Sequence, residues 1–319
     1  MEHNILLKVA SIKNVAHDIR EIEFVAADTS VALPRFDAGA HIEIKLTEDL
    51  YRSYSLANDC SETHRYVIAV HHSPESKGGS AYIHQSLQEG DVVWATSPRN
   101  HFPLDETTHE YVLIAGGIGI TPILAMAYRL NALGKQWTLH YCARTQQHAA
   151  YQDALAELSK SSGNTVQYYF DQEPNGQSLN LAELVKNTAV ESHFYCCGPK
   201  GMLNAFEDAT AHRKDTAHLE YFSAKEDAAL EGGYEIELAK SNLILRVPAG
   251  KSILDVVFEA GISVPSSCRE GICGSCETAI LCGEADHRDA LLSDEEKISN
   301  ETMMICCSGA KSKKLVLDL

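Results

Sequence analysis

Ser266-Ser267-Cys268-Arg269-Glu270-Gly271-Ile272-Cys273-Gly274-Ser275-Cys276 places three cysteines in the order C-x4-C-x2-C, and Cys306 follows about thirty residues later. This is the plant-type spacing of four thiolates on a [2Fe-2S] cluster. Two irons bridged by sulfide need four thiolates converging on one small volume, and Gly271 and Gly274 allow the tight backbone that turns loop amides toward the sulfurs. A zinc site and a set of buried structural thiols are the competing readings. Zinc ribbons favour two C-x2-C pairs, whereas one such pair here has a third cysteine ahead of it and a lone distant one behind. Cys306 and Cys307 are adjacent, and neighbours in an extended segment point to opposite sides, so only one of them should ligate. Cys306 is expected as the ligand, with Cys307 and Cys282 as small buried or half-buried thiols.

The other cysteines, Cys60, Cys142, Cys196 and Cys197, show no disulfide-framework spacing, and residues 1 to 20 contain no apolar signal-peptide core. The expectation is a reducing cytoplasm. No run approaches the roughly 18 consecutive apolar residues of a membrane helix. A net charge of −17 argues against nucleic-acid binding, which calls for a basic stripe. Such acidity serves either solubility or docking to a basic partner.

At 319 residues the chain is expected to form two or three domains. From Leu6 to about Leu104, short alternating stretches (Leu6 to Val9, Ile19 to Val25, His41 to Leu46, Tyr66 to Val70, Asp91 to Ala95) are separated by turn residues, which suggests an antiparallel barrel or sandwich. The period then changes. Apolar strands Tyr111 to Ala115, Trp137 to Cys142, Val166 to Phe170 and Phe194 to Cys197 interleave with helical stretches near Pro122 to Leu133, Ala149 to Leu158, Leu181 to Lys186 and Lys200 to His212, the pattern of a doubly wound parallel sheet. Ser223 to Gly233 reads as a linker. Beyond it come strands Tyr234 to Leu238 and Leu243 to Val247, a helix capped by Ser252 with Asp255 and stopped by Gly261, a second capping box at Ser293 with Glu296, and a returning strand Leu315 to Leu317. Expected boundaries are 1–105, 106–226 and 227–319.

Strand Tyr111 to Ala115 enters Gly116-Gly117-Ile118-Gly119-Ile120-Thr121-Pro122, whose amides can accept a pyrophosphate and whose proline suits a first helical turn. Tight strand-to-helix packing also selects glycine there. The stretch departs from Gly-x-Gly-x-x-Gly, and the next strand ends in Cys142-Ala143-Arg144 with no acidic residue. Lys77-Gly78-Gly79-Ser80 precedes a short helical stretch, so it is either a plain turn or a terminal-phosphate site at a helix N-terminus.

Arg52-Ser53-Tyr54-Ser55, the Gly116 to Pro122 turn and Cys197-Gly198-Pro199 occur in the order found in the ferredoxin-NADP reductase superfamily. With the C-terminal cluster loop, the whole chain resembles the phthalate dioxygenase reductase family, which includes the reductases of vanillate demethylase and carnitine monooxygenase. Further family-like stretches are Ser97 to Leu104, Glu284 to Asp289 and Leu315 to Leu319. An arginine would be expected where Gly309 stands.

The resemblance implies a flavin β-barrel, an α/β nicotinamide domain and an α+β plant-type ferredoxin domain. It implies that Arg52 contacts the flavin phosphate, Tyr54 packs along the isoalloxazine, Ser55 bonds near the reactive nitrogen, and Ser53 belongs to the same cofactor strand. Lys77, Gly78, Gly79 and Ser80 would hold the phosphate of FMN, favoured over FAD. Gly116, Gly117, Gly119, Thr121, Gly198 and Pro199 would line the dinucleotide site, with Cys197 and Glu220 beside the hydride-transfer region. Phe222 would lie against the flavin, with a core aromatic as the alternative. NADH is favoured over NADPH, although Arg144 beside Thr145 suits a 2′-phosphate. The implied function is an NADH-dependent reductase that passes single electrons to a separate Rieske-type oxygenase, leaving by the cluster edge from Arg269 to Ser275 with Glu270 and Glu277 nearby. A reductase for a diiron or P450 monooxygenase is the rival among redox enzymes, and an iron-sulfur sensor or carrier is the rival outside them. A monomer suffices, since all three cofactors can meet within one chain.

Overall fold

The structure is a computed structural model that describes residues 4–74, 76 and 78–319. The chain forms two compact units, one running to Phe222 and the other Ser223–Leu319. Among the described residues no helix is long and apolar enough to cross a membrane.

The first unit opens with an antiparallel β-barrel built from β1 (Ile5–Ala16), β2 (Ile19–Ala26), β3 (His41–Lys45), β4 (Tyr51–Ser55), β5 (Tyr66–His71) and β6 (Val92–Ala95) in the order β4-β3-β6-β1-β2-β5. Alternate residues such as Leu7, Ile22, Phe24, Ile42, Ile44 and Val93 fill its interior, as period-2 patterning requires. Two register shifts bend β1, and a backbone bond from Ala57 N to Val67 O draws the end of β4 toward β5, which curls the sheet. A short helix α1 (Gly79–Gln85) follows β5. Of the two architectures the alternation allowed, the barrel is the one formed.

The same unit continues as a parallel sheet of β7 (Glu110–Gly116), β8 (Gln136–Ala143), β9 (Thr165–Phe170), β10 (His193–Cys197) and β11 (Ala217–Glu220), ordered β11-β10-β7-β8-β9. Helices α2 (Ile120–Ala132), α3 (Gln152–Ser162), α4 (Leu181–Asn187) and α5 (Lys200–Thr210) make the connections. The chain winds outward from β7 through β8 and β9, then crosses back to β10. Strand order therefore reverses between β7 and β10, the place where open α/β sheets bind ligands at their carboxyl ends.

The second unit holds a mixed five-stranded sheet of β12 (Tyr234–Leu238), β13 (Leu243–Val247), β14 (Glu277–Cys282), β16 (Thr302–Met304) and β18 (Lys314–Leu317), with α6 (Ile253–Glu259) and α7 (Asp294–Ser299). A small ribbon pairs β15 (Ala285–Asp286) with β17 (Gly309–Ala310). Both expected capping boxes are present, at Ser252 with Asp255 and at Ser293 with Glu296. Gly309 sits where a Cβ would lie 2.8 Å from the Ala229 methyl carbon, so an arginine there would have to displace that segment.

Candidate functional site

β4 and β11 deliver the central side chains. Ser55 closes β4, Cys197 closes β10, and parallel pairing sets Cys197 beside Glu220 at the end of β11. Ser55 hydrogen-bonds the Glu220 carboxyl. Glu220 as a residue is half-buried, yet its Oε2 is fully enclosed and has no partner. Burial pushes its pKa up to about 8, with the Ser55 bond pulling the other way. Burial also drives the Cys197 thiol well above its ordinary range, reinforced by the Glu220 charge. Cys197 is therefore a neutral packing group rather than a nucleophile. Three sequence-predicted residues thus meet at one spot, with a protonatable carboxyl among them.

Two strand-to-helix turns approach each other beside this spot, and glycine is what lets them. A Cβ on Gly119 would lie 2.2 Å from the Cys197 carbonyl oxygen, and one on Gly116 would lie 2.5 Å from Pro199 Cδ. Gly117 has φ of 55°, while Thr121 turns its hydroxyl back onto the Ile118 carbonyl at 3.1 Å. Next to Gly116 and Gly198 stands Met202, which also lines a cleft of about 200 Å³ with Cys142, Ala143, Tyr169, Asp171 and Ser178. This cleft lies at the carboxyl ends of β8 and β9. Asp171 was not foreseen; an acidic residue one strand later than the one searched is the signal that identifies it. Arg144 is exposed just past β8.

At the barrel edge Arg52 packs along the start of α1, where a Cβ on Gly79 would meet Arg52 Cγ at 2.7 Å. Arg52 Nη1 donates to the Tyr51 carbonyl at 2.7 Å. Gly79 and Ser80 belong to the first turn of α1 rather than preceding it, and Ser80 Oγ accepts the Ser73 amide at 3.3 Å. Ser76, absent from the sequence reading, accepts the amides of Gly78 and Ala81, both at 3.2 Å. Lys77 lies outside the described residues. Tyr54 packs against the barrel core, with burial raising its phenol pKa, and Ser53 keeps an enclosed hydroxyl without a partner. A guanidinium beside a helix start, in line with Tyr54 and Ser55 on one strand, fits a flavin phosphate and ring. Phe222 is 37% exposed, which removes the core-aromatic alternative, whereas Tyr221 is buried and donates to Glu207 at 2.8 Å.

In the second unit the cysteine loop is tightly wound, with Arg269, Gly271 and Gly274 all at positive φ. The thiols of Cys273 and Cys306 both reach that of Cys268, Cys276 is 3% exposed, and the Glu270 amide donates to Cys268 Sγ at 3.3 Å. A wholly enclosed Ser267 hydroxyl also lacks a partner. The donor set is all sulfur with amide support, which fits an iron-sulfur cluster. No group of three His, Cys, Asp or Glu among the described residues is arranged to hold a single metal ion, whereas a two-iron cluster takes its ligands two to each iron. Two expectations need correction. Residues 305–307 form a turn rather than an extended strand, so the two cysteines do not point to opposite sides, and the Cys307 thiol reaches that of Cys306. Cys282 is exposed, on the outer end of β14.

The oxidoreductase NAD-binding domain family matches residues 113–208, and the 2Fe-2S iron-sulfur cluster binding domain family matches residues 236–311. Phthalate dioxygenase reductase of Burkholderia cepacia is 39% identical over 98% of this chain and 97% of that one. This chain belongs to the phthalate dioxygenase reductase family. A solved phthalate dioxygenase reductase superposes with a TM-score of 0.73 at 39% identity, over 99% of this chain and 98% of that one. Phenoxybenzoate dioxygenase subunit beta of Ectopseudomonas oleovorans is 48% identical over 98% and 97% of the two chains. An intact type IV self-sufficient cytochrome P450 monooxygenase matches with a TM-score of 0.87 at 36% identity, over 99% of this chain but 41% of that one. As a phthalate dioxygenase reductase family member, the chain is an NAD(P)H-dependent oxidoreductase with a [2Fe-2S] domain.

Proposed function

We propose that this protein takes hydride from NADH and passes the electrons singly to a separate Rieske-type oxygenase. The observation that carries the reading is the coexistence, in one chain, of the Ser55, Cys197 and Glu220 cluster with a three-cysteine loop whose Cys268 thiol meets that of Cys306. Relatives named phthalate dioxygenase reductase and vanillate O-demethylase oxidoreductase support the partner class. Flavin and cluster, when bound, convert a two-electron donation into one-electron deliveries. The chain's own residues do the rest. Gly116, Gly119 and Gly198 let the dinucleotide backbone approach. Ser55 and Glu220 hold a proton at the hydride-transfer point, and Cys197 excludes water there. Arg52, with Gly78, Gly79 and Ser80, would anchor a terminal phosphate, which favours FMN over FAD. Cys268, Cys273, Cys276 and Cys306 would ligate the cluster.

NADH preference is supported by Asp171, whose carboxylate in the cleft would repel a 2′-phosphate, against the exposed Arg144. A heme monooxygenase partner is the second reading, favoured by the likeness to the self-sufficient P450. Reduction of purified Rieske oxygenase and P450 acceptors by the NADH-loaded protein, with acid extraction and mass determination of the flavin, tests the proposal. Transfer to the Rieske acceptor with FMN released is expected; transfer to neither, or only to P450, would overturn the partner assignment.

A further inference from the structure

The stretch Glu284 to Asp289 stands out in the sequence, yet the function proposed above gives it no task. Asp289 is 1% exposed, with its side chain wholly enclosed. Carboxylates are almost never so buried unless paired. Asp289 Oδ2 accepts the amides of Leu291 at 3.2 Å and Leu292 at 2.8 Å. Oδ1 has no hydrogen-bond partner. Two basic side chains face the carboxylate without closing on it. Lys297 Nζ is 3.9 Å from Oδ2 and donates instead to the Asp289 carbonyl at 2.6 Å. His287 Nδ1 is 3.8 Å from Oδ1, and burial lowers the imidazole pKa.

The position of this charge is informative. A Cβ on Gly271, which lies between Cys268 and Cys273, would sit 2.9 Å from Asp289 Cα and 3.0 Å from its Cβ. The Ala290 amide donates to the Gly271 carbonyl at 3.1 Å, and Cys307, next in sequence to Cys306, borders the same point. Asp289 therefore packs directly against the ligand loop, inside protein where charges are weakly screened.

We infer that Asp289 is a positioning residue for charge: its buried carboxylate opposes the electron added to the [2Fe-2S] cluster and so makes the reduced cluster a stronger one-electron donor. The inference rests on the cluster assignment proposed above. The step adds one electron to the cluster, with no bond made or broken and no proton moved. Lys297 offsets part of the effect, so its removal should deepen it.

A redox titration of the cluster-loaded full chain, followed by the electron spin resonance of the reduced centre, tests this. Asp289→Asn keeps an oxygen for the Leu291 and Leu292 amides, and is expected to raise the cluster's affinity for an electron about tenfold, a positive shift of ~59 mV. Lys297→Met leaves the carboxylate in place and is expected to lower that affinity by a few-fold. Opposite shifts are not what loosened packing would give. Unchanged potentials, or shifts of the same sign in both variants, would overturn the inference. A wild-type protein that shows no reduced [2Fe-2S] signal would overturn the cluster assignment instead.

Discussion

Glu220 carries the proposed proton handling, and its pKa makes a signed prediction. Its carboxyl, pushed up to about 8 from 4.5, keeps a proton in the folded chain where the unfolded chain has released it. The stabilisation from this group is full below about pH 4.5 and is lost as pH rises through about 8. Glu220→Gln removes the ionisation. The fall in Tm of the flavin-free protein across that window should flatten, and turnover of NADH should drop roughly 10- to 100-fold with KM little changed. A Tm profile parallel to wild type would contradict the assignment. The cysteine pair gives a second contrast. Cys306→Ser is expected to lose the iron and Cys307→Ser to retain it, read by iron content per chain; Cys307 lies on the Gly271 side of the loop, while Cys306 faces Cys268.

At the scale of elements, one arginine holds the approach to β10. Arg213 is buried and donates to the carbonyls of Val185, Thr188, Ala189, Val190 and Ser192, clamping the turn between α4 and β10 while its guanidinium lies over Phe194. Arg213→Met removes the guanidinium from those carbonyls, of which Val185 and Ala189 keep a backbone amide, and should cost about 3 kcal/mol or more in urea unfolding. A loss under about 1 kcal/mol would show that water replaces the clamp. Arg213 was invisible in the sequence, where a lone arginine after a helix has no pattern to distinguish it. β7 and β10 were legible because largely buried strands read as apolar runs, and both capping boxes were legible because they are local. β4 was not, since Tyr51-Arg52-Ser53-Tyr54-Ser55 is half-buried and lacks apolar alternation; only motif order marked it. β11 hid similarly in Ala217-His218-Leu219-Glu220. Asp171 and Asp289 act through tertiary neighbours, which no spacing rule reports, and Ser76 accepts amides two and five residues on in a turn whose sequence carries no pattern. The turn at 305–307 keeps the Cys306 and Cys307 thiols within reach of each other, a geometry that alternation does not describe.

For the whole molecule, charge and connectivity set what can be tested. The chain carries −17, and Glu270 and Glu277 flank the cluster loop, so a basic acceptor would be steered toward it. Reversing both charges to lysine is expected to slow reduction of an oxygenase several-fold at low salt while leaving an artificial acceptor unaffected; equal rates for both acceptors would move the docking surface elsewhere. The central claim is that hydride equivalents entering at Glu220 and Cys197 reach the four cysteines within one chain. An anaerobic NADH titration of the cofactor-loaded protein, with flavin absorbance and cluster spin resonance followed together, tests it most directly. Reduction of both centres is the predicted result. Reduction of the flavin alone, or of neither centre, would contradict the account.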